Sequence, residues 1–220
     1  MQQSVDYIVV GGGSSGCALA GRLSESPDIS VLLLEAGGKG DNWLVNTPAA
    51  VVLQVPKKIN NWAFETVPQP GLGGRKGYQP RGKVLGGSSS INAMAYIRGH
   101  RMDYDEWASL GNSGWSYDEV LPYFKRAEDN RRLKDAFHGQ GGPLVVSDLQ
   151  TDNPFQQHYL DAAKQVGYPI STDFNGAEQE GVGLYQVTQE NGERWSAYRG
   201  YIKQHLDTRR NLHVETDALT

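Results

Sequence analysis

The first 34 residues follow a pattern of apolar and polar positions that predicts a strand, a helix and a second strand. Val5–Val10 is a mostly β-branched run that ends at a glycine triplet. Cys17–Leu23 sets small and apolar residues at helical spacing, and Ile29–Leu34 is a nearly continuous apolar run, typical of a strand covered on both faces. A strand, a helix and a strand in this order form a crossover unit, so the pattern predicts a parallel sheet.

Residues 38–80 show little regular patterning. Prolines interrupt every candidate helix in this stretch, and Gly71–Gly74 is typical of a hairpin tip. A segment of this length without a helix is more often a lid or a binding excursion than a simple connection. We therefore predict a lid-like excursion over these residues.

The remaining chain predicts further helices and strands. Ser116 followed by Glu119 is a capping-box signature at the start of one helix. The predicted helices are Asp103–Leu110, Ser116–Arg132, Pro154–Val166 and Ser196–Leu206, and the predicted strands are Gly183–Gln189 and Leu212–Thr216.

The glycines after the first predicted strand fit the pattern G-x-G-x-x-G. Gly11 allows a tight turn, Gly13 lets a pyrophosphate approach the backbone, and Gly16 lets the following helix pack on the sheet. Ser14 and Ser15 open that helix, whose free N–H groups and dipole favour phosphate. The pattern predicts a dinucleotide site, with a plain glycine-rich turn as the alternative.

Glu35 ends the second predicted strand, 19 residues after Gly16. A carboxylate at this point can accept hydrogen bonds from the ribose diol of a dinucleotide. The same charge would repel a 2′-phosphate, so NADP is disfavoured. NAD and FAD both bind to this unit, and the glycine pattern does not separate them.

Composition narrows the class of protein. Hydrophobic residues make up 38% and charged residues 21% of the 220 residues, which excludes a disordered tail and a coiled coil. The net charge of −4 argues against nucleic acid as a partner, because phosphate binding needs a basic face. No apolar run approaches the roughly 20 residues that a membrane-spanning helix requires, and a cytoplasmic protein is predicted.

The cysteine and histidines predict no metal site. Cys17 is the one cysteine, so no internal disulfide can form, and we predict that it packs in the core. The five histidines show no i,i+4 pair and no cluster with the cysteine.

A second glycine cluster runs Gly-Lys-Val-Leu-Gly-Gly-Ser-Ser-Ser-Ile-Asn from Gly82 to Asn92. With Asp6–Val10 and Glu35–Gly37, this segment resembles the signature of the glucose–methanol–choline family of FAD-dependent oxidoreductases. The resemblance covers essentially the whole chain. Segments similar to the family's choline dehydrogenases and aliphatic alcohol dehydrogenases are Asn61–Thr66, Pro80–Lys83, Tyr96–His100, Gly181–Gly183 and Arg194–Ala197.

The resemblance implies an α/β fold, with a Rossmann-like FAD-binding domain on a parallel sheet and part of an α+β substrate-binding region. It implies that residues 1–150 form the FAD-binding domain, with the excursion at 38–80. Residues 151–200 would begin the substrate-binding region, and residues 201–220 would return to the FAD-binding domain. The C-terminal half of the family's pattern is absent from this sequence.

The resemblance also implies where FAD is bound. Gly86, Gly87 and the serines after them offer main-chain N–H donors with little bulk, which suits a diphosphate or the edge of a flavin ring. Some members of the family tether the flavin through a histidine at the position of Ile91. Isoleucine has no nucleophilic atom, so non-covalent FAD is predicted. The predicted FAD ligands are Gly11, Gly13, Ser14, Ser15, Gly16, Glu35, Ala36, Trp62, Arg81, Gly82, Val84, Gly86, Gly87, Ser88, Asn92, Ala93, Met94, Ala95 and Leu219.

The activity implied by the resemblance is oxidation of primary, aliphatic alcohols by hydride transfer to the flavin, with an acceptor such as a quinone. Peripheral contact with the cytoplasmic side of a membrane stays open. In the family a histidine of the C-terminal half takes the hydroxyl proton. No histidine here matches that segment, so no catalytic residue is assigned and the 220 residues alone are predicted to be inactive. The alternatives are choline dehydrogenase-type activity, a hydroxynitrile lyase of the same fold and a non-catalytic flavin-binding fragment.

Overall fold

A computed structural model of the protein describes residues 4–220. The chain divides into two compact units, one formed by the chain up to Met94 together with Gly192–Thr220, the other by Ala95–Asn191. The functional division at residues 150 and 200 stays a prediction. Within the described residues no helix has the length and apolar character needed to cross a membrane.

The helices and strands follow one another closely along the chain. The strands are β1 (Tyr7–Val10), β2 (Val31–Leu34), β3 (Phe64–Glu65), β4 (Tyr78–Gln79), β5 (Ala95–Tyr96), β6 (Glu128–Asn130), β7 (Leu144–Asp148), β8 (Gln186–Val187), β9 (Gln189–Glu190), β10 (Glu193–Arg194) and β11 (Leu212–Glu215). The helices are α1 (Ser14–Leu23), α2 (Trp43–Asn46), α3 (Val51–Gln54), α4 (Arg101–Ser109), α5 (Tyr117–Ala127), α6 (Pro154–Gln165) and α7 (Ala197–Tyr201).

The first unit is built on a three-stranded parallel sheet in the order β1-β2-β11. β2 lies in the centre, with Val31 opposite both Tyr7 and Leu212. α1 connects β1 to β2, so the predicted crossover unit and the α/β class are confirmed. The core of this unit consists of Val9, Cys17, Ala20, Val31, Leu33, Leu85, Ala197, Tyr198, Ile202 and Leu212. Cys17 is fully buried there, as the sequence predicted.

Residues 38–80 contain only short elements. α2 and α3 have four residues each, too few for a periodic sequence pattern to reveal them. β3 and β4 pair antiparallel, and the hairpin turns at Gly73 and Gly74, whose φ angles of 65° and 77° favour glycine. The predicted hairpin tip is therefore confirmed. The prediction that this stretch contains no helix is wrong for the eight residues of α2 and α3.

The second unit contains a four-stranded sheet in the order β5-β8-β7-β6. β8 pairs antiparallel with β5 and β7, and β6 pairs parallel with β7. The prediction that one helix continues to Arg132 is wrong, because α5 ends at Ala127 and the chain turns into β6. Glu128 and Asn130 of β6 are buried and held by hydrogen bonds, which the helical pattern did not reveal.

Two other predicted elements are shorter than expected. The helix predicted to reach Leu206 ends as α7 at Tyr201 and is followed by a 3₁₀ turn at Lys203–His205. The strand predicted over Gly183–Gln189 is regular only in β8 and at the start of β9. Short polar strands and 3₁₀ turns carry little sequence periodicity, so the pattern overestimated both.

A buried ionic network lies inside the second unit. Arg98 Nη2 donates to Glu128 Oε2 over 2.8 Å, and His138 lies 3.0 Å from both Glu128 Oε1 and Asp173 Oδ2. Burial of His138 opposes its charged form, but the hydrogen bonds to Asp173 and Glu128 outweigh burial and raise the pKa of His138 to about 9. The imidazole is therefore protonated at neutral pH.

Candidate dinucleotide site

The first glycine turn joins β1 to α1. The Gly11 N–H donates to Leu34 O over 2.8 Å, which ties the turn to the end of β2, and the φ of Gly11 is 93°. A Cβ atom on Gly16 would lie 1.9 Å from Gly11 O, so no side chain fits there. A Cβ on Gly13 would meet no atom within 4 Å. The turn is thus closed on the side of the helix and open at Gly13, as the sequence pattern predicts for a pyrophosphate site.

The N-terminus of α1 carries no group that would compete with an anion. α1 has ten residues, Gly13 caps it without a side chain, and its first turn contains no acidic residue. Ser14 and Ser15 are exposed. The first N–H groups of a helix have no partner within the helix, and its dipole favours negative charge. This end of α1 can therefore bind a phosphate group.

Glu35 is buried at the end of β2, where its carboxylate ties two turns together. Its Oε2 accepts from the Gly12 N–H and its Oε1 from the Gly37 N–H, each over 2.8 Å. A carboxylate has about four acceptor positions, so Glu35 retains capacity for a ribose hydroxyl. The sequence predicted a ribose ligand at Glu35 but not these two backbone bonds.

The end of the chain returns to the same point. The Ala218 N–H donates to Glu35 O over 3.0 Å, and the Asp217 N–H donates to Gly37 O over 2.9 Å. Leu219, the next residue, is 71% exposed. Because these bonds hold the chain beside Ala36 and Glu35, Leu219 lies at the predicted ribose end of the site. Its contact with an adenine stays a prediction.

The second glycine cluster packs directly on the first. The Gly86 N–H donates to Gly12 O over 2.7 Å. A Cβ on Gly87 would lie 2.7 Å from Gly13 Cα, and one on Gly82 would lie 2.2 Å from Gly87 O. The absence of side chains lets these backbones approach, so two segments about 70 residues apart form one surface.

Other predicted ligands border this surface. Val84 is buried below the cluster, whereas Ser88, Asn92 and Ala93 are exposed. Met94 is buried and has a φ of 63°. Ala95 begins the second unit, so its predicted place among these ligands stays a prediction.

Trp62 lies in the excursion and pairs with Arg81, the residue that directly follows the excursion. The Trp62 N–H donates to Arg81 O over 2.8 Å. The Trp62 ring stacks on Phe64 with 5.8 Å between centroids, and Lys83 Nζ lies 4.6 Å from the Trp62 centroid. Stacking and the cation hold an indole that is still partly exposed, as a residue beside a ligand would be.

Sequence reasoning missed two features. Arg194 was identified only as part of a similar segment, and the structure buries its side chain completely beneath the serine turn. Asp135, His138 and Asp173 bring ligand atoms within 4.8 Å of one another in the second unit, which their spacing did not indicate. Both ring nitrogens of His138 are hydrogen-bonded to carboxylates, one to Glu128 and the other to Asp173, so an ionic network accounts for this cluster. The absence of a metal site stays a prediction.

The chain matches one family model and several curated relatives over almost its whole length. The model of the GMC oxidoreductase family matches residues 5–220. An alcohol dehydrogenase (acceptor) of Pseudomonas putida is 48% identical over 97% of this chain and 39% of its own length. An oxygen-dependent choline dehydrogenase of Vibrio vulnificus is also 48% identical, over 93% of this chain and 37% of its own length. The chain thus spans less than two fifths of the length of these curated relatives.

Solved structures agree with this grouping. Pyridoxine 4-oxidase from Mesorbium loti superposes with a TM-score of 0.91 at 35% identity, over 97% of this chain and 42% of that one. An FAD-dependent oxidoreductase from Chaetomium thermophilum superposes with a TM-score of 0.87 at 31% identity, over 96% and 38%. The family model, the curated relatives and the solved structures agree, and the chain belongs to the GMC oxidoreductase family.

Proposed function

We propose that this chain binds FAD without a covalent bond and forms the FAD-binding part of an enzyme that oxidises alcohols. The observation that carries the proposal is the packing of Gly86 and Gly87 on Gly12 and Gly13, at the uncapped start of α1. The open space at Gly13 and the free acceptor positions of Glu35 fit a diphosphate and a ribose.

The second glycine cluster favours FAD over NAD. A glycine turn after β1 suits either dinucleotide, but this surface continues from Gly13 across Gly87 to Ser88 and Asn92. Gly87 itself is buried, but the exposed Ser88 and Asn92 extend the polar site beyond the diphosphate, as a flavin ring would require. The structural relative from Chaetomium thermophilum, an FAD-dependent oxidoreductase, supports the same cofactor.

The bound FAD would supply the hydride acceptor of the reaction. This chain's residues would hold the cofactor: the N-terminus of α1 the diphosphate, and Glu35 the ribose. Ile91 is 3% exposed, offers no nucleophile and points to non-covalent binding. We assign no base to any described residue, and we propose that the 220 residues alone do not turn over.

The proposed substrate is a primary aliphatic alcohol, with an acceptor such as a quinone. Choline is the second candidate, since the alcohol dehydrogenase and the choline dehydrogenase relatives are equally identical to this chain. In the intact enzyme, anaerobic bleaching of the flavin by 1-hexanol in preference to choline would support the aliphatic alcohol. Bleaching by neither alcohol would favour a lyase or a non-catalytic flavoprotein.

The first test of the proposal is cofactor identification. The purified chain is expected to show a flavin absorption spectrum and to release FAD into the supernatant when the protein is precipitated with acid. A folded, colourless chain that takes up NAD but not added FAD would contradict the proposal. Flavin that stays with the acid precipitate would contradict non-covalent binding.

Gly13→Ala is expected to weaken FAD binding while the fold remains intact. Gly13 has φ −72° and ψ −168°, which alanine adopts freely, and its Cβ would meet no protein atom. The methyl group would occupy the space that the pyrophosphate needs, so we expect the FAD dissociation constant to rise about tenfold or more. Fluorescence titration with FAD measures this, and an unchanged urea unfolding midpoint serves as the control. Unchanged FAD affinity would contradict the assigned site.

A further inference from the structure

Arg194 is a buried cation without a counterion. Its side chain is 1% exposed, and its three hydrogen bonds reach neutral oxygens: Val45 O at 2.9 Å, Ser89 O at 3.1 Å and Asn92 Oδ1 at 2.9 Å. Nη2 has no partner among the described residues. Burial lowers the pKa of Arg194 to about 10, so the guanidinium is still charged at neutral pH. An unpaired buried charge is costly, which calls for a functional explanation.

The contact with Asn92 determines how that side chain is oriented. Asn92 Oδ1 accepts from Arg194 Nη1 over 2.9 Å and from the Met94 N–H over 3.0 Å. Both partners are donors, so the oxygen must face them and the Nδ2 group must point away. Nδ2 has no hydrogen-bond partner among residues 4–220, and Asn92 is exposed on the surface of the glycine cluster.

We propose that Arg194 is a positioning residue, which fixes Asn92 so that its Nδ2 donates a hydrogen bond to the bound cofactor. This inference rests on the proposed FAD site. Asn92 would act only as a donor there, never as an acceptor, since Arg194 and Met94 already occupy its oxygen. The ligand atom that faces Asn92 must therefore be an acceptor, such as a carbonyl oxygen or an unprotonated ring nitrogen of the flavin.

The role of Arg194 also explains why an arginine is suited to this position. Its planar fork holds Val45 O with Nε and two further oxygens with Nη1, so the guanidinium has little freedom to rotate. A lysine would keep the charge but would lose this fixed geometry. Only the Met94 N–H would then hold the Asn92 oxygen, so the amide would be less firmly fixed toward the cofactor.

Asn92→Asp is the most direct test. The aspartate keeps an oxygen toward Arg194 and the Met94 N–H but replaces the outward donor by a second oxygen. It also gives Arg194 a counterion, so the unfolding temperature of the cofactor-free protein should rise. The FAD dissociation constant should nevertheless rise about tenfold or more, and the midpoint potential of bound FAD should fall, because an acceptor and a negative charge now face it.

The control for the added charge is Asn191→Asp, at an exposed position with φ 52° that an aspartate tolerates. It should leave affinity, potential and unfolding temperature unchanged. Wild-type affinity and potential in Asn92→Asp would overturn the inference, even where the unfolding temperature rises. Failure of the wild-type protein to bind FAD would instead overturn the proposed function.

A double-mutant cycle tests whether Arg194 acts through Asn92. Arg194→Lys should weaken FAD binding severalfold in the wild-type background and should have no further effect in an Asn92→Ser background. If the losses of FAD affinity in the two variants add, Arg194 does not act through Asn92 and the inference is overturned. If Arg194→Lys does not fold, the opposite changes of stability and affinity in Asn92→Asp still decide between a positioning and a merely structural role.

Discussion

Gly16→Ala is expected to destabilise the first unit by about 3 kcal/mol or more, a large part of the roughly 5–15 kcal/mol that stabilises a typical folded protein. The new Cβ would lie 1.9 Å from Gly11 O, and both partners are main chain. Neither can rotate away, since the Gly11 N–H is bonded to Leu34 O and α1 packs on the sheet. Relief would require α1 to move away from β1, which would open the core around Cys17.

Urea unfolding followed by circular dichroism measures this effect. Gly13→Ala is the matched control, because it adds the same methyl group three residues earlier in open space. We expect a normal unfolding midpoint for Gly13→Ala and a large loss, or no folded protein, for Gly16→Ala. Equal midpoints for the two variants would show that the turn can relax and would contradict the close contact.

The crossover unit was predictable because its signals are local. A β-branched run, a glycine triplet and a small-residue helix each restrict the backbone over a few residues, and each appears where the sequence placed it. The φ of 93° at Gly11 and the close approach of Gly16 to Gly11 O confirm the requirement for glycine at these two positions, whereas the pyrophosphate contact of Gly13 stays a prediction. Sequence periodicity gave the wrong element where contacts between distant residues determine the structure. In β6, Glu128 and Asn130 are buried, and a strand forms where the pattern predicted a helix.

The second half of the candidate site depended on resemblance. Nothing local to Gly86 or Gly87 indicates that this segment will pack against Gly12 and Gly13, since that contact closes a loop of about 70 residues. The burial of Arg194 was equally hidden, because an arginine next to Glu193 and Trp195 has the sequence pattern of an exposed residue. Only the assembled unit shows that its hydrogen bonds converge on Ser89 and Asn92.

The second unit should lose stability as the pH rises, because His138 holds a proton more tightly when folded. Its pKa is about 9 in the folded protein against 6.5 for a free imidazole. The stabilisation is therefore fully present below pH 6.5 and is lost as the pH rises toward 9, a change of about 3 kcal/mol. Glu128 and Asp173 face the imidazole directly, Asn130 contacts it, and Arg98 shares Glu128.

The carboxylates do not counteract this trend within that range. The pKa values of Glu128 and Asp173 are both lowered: burial opposes their charge, but hydrogen bonds, first of all those to His138, prevail. Their contributions are lost only in acid, well below pH 6.5. The free energy of unfolding, measured in urea at pH 6.5 and at pH 9, should therefore report the contribution of His138 without that of the carboxylates. The substitution His138→Gln should remove most of the difference between the two values. Unfolding free energies that stay constant between these two pH values in the wild-type protein would contradict a protonated His138, and Arg98 would then be the only cation among the described residues that faces the two carboxylates of the network.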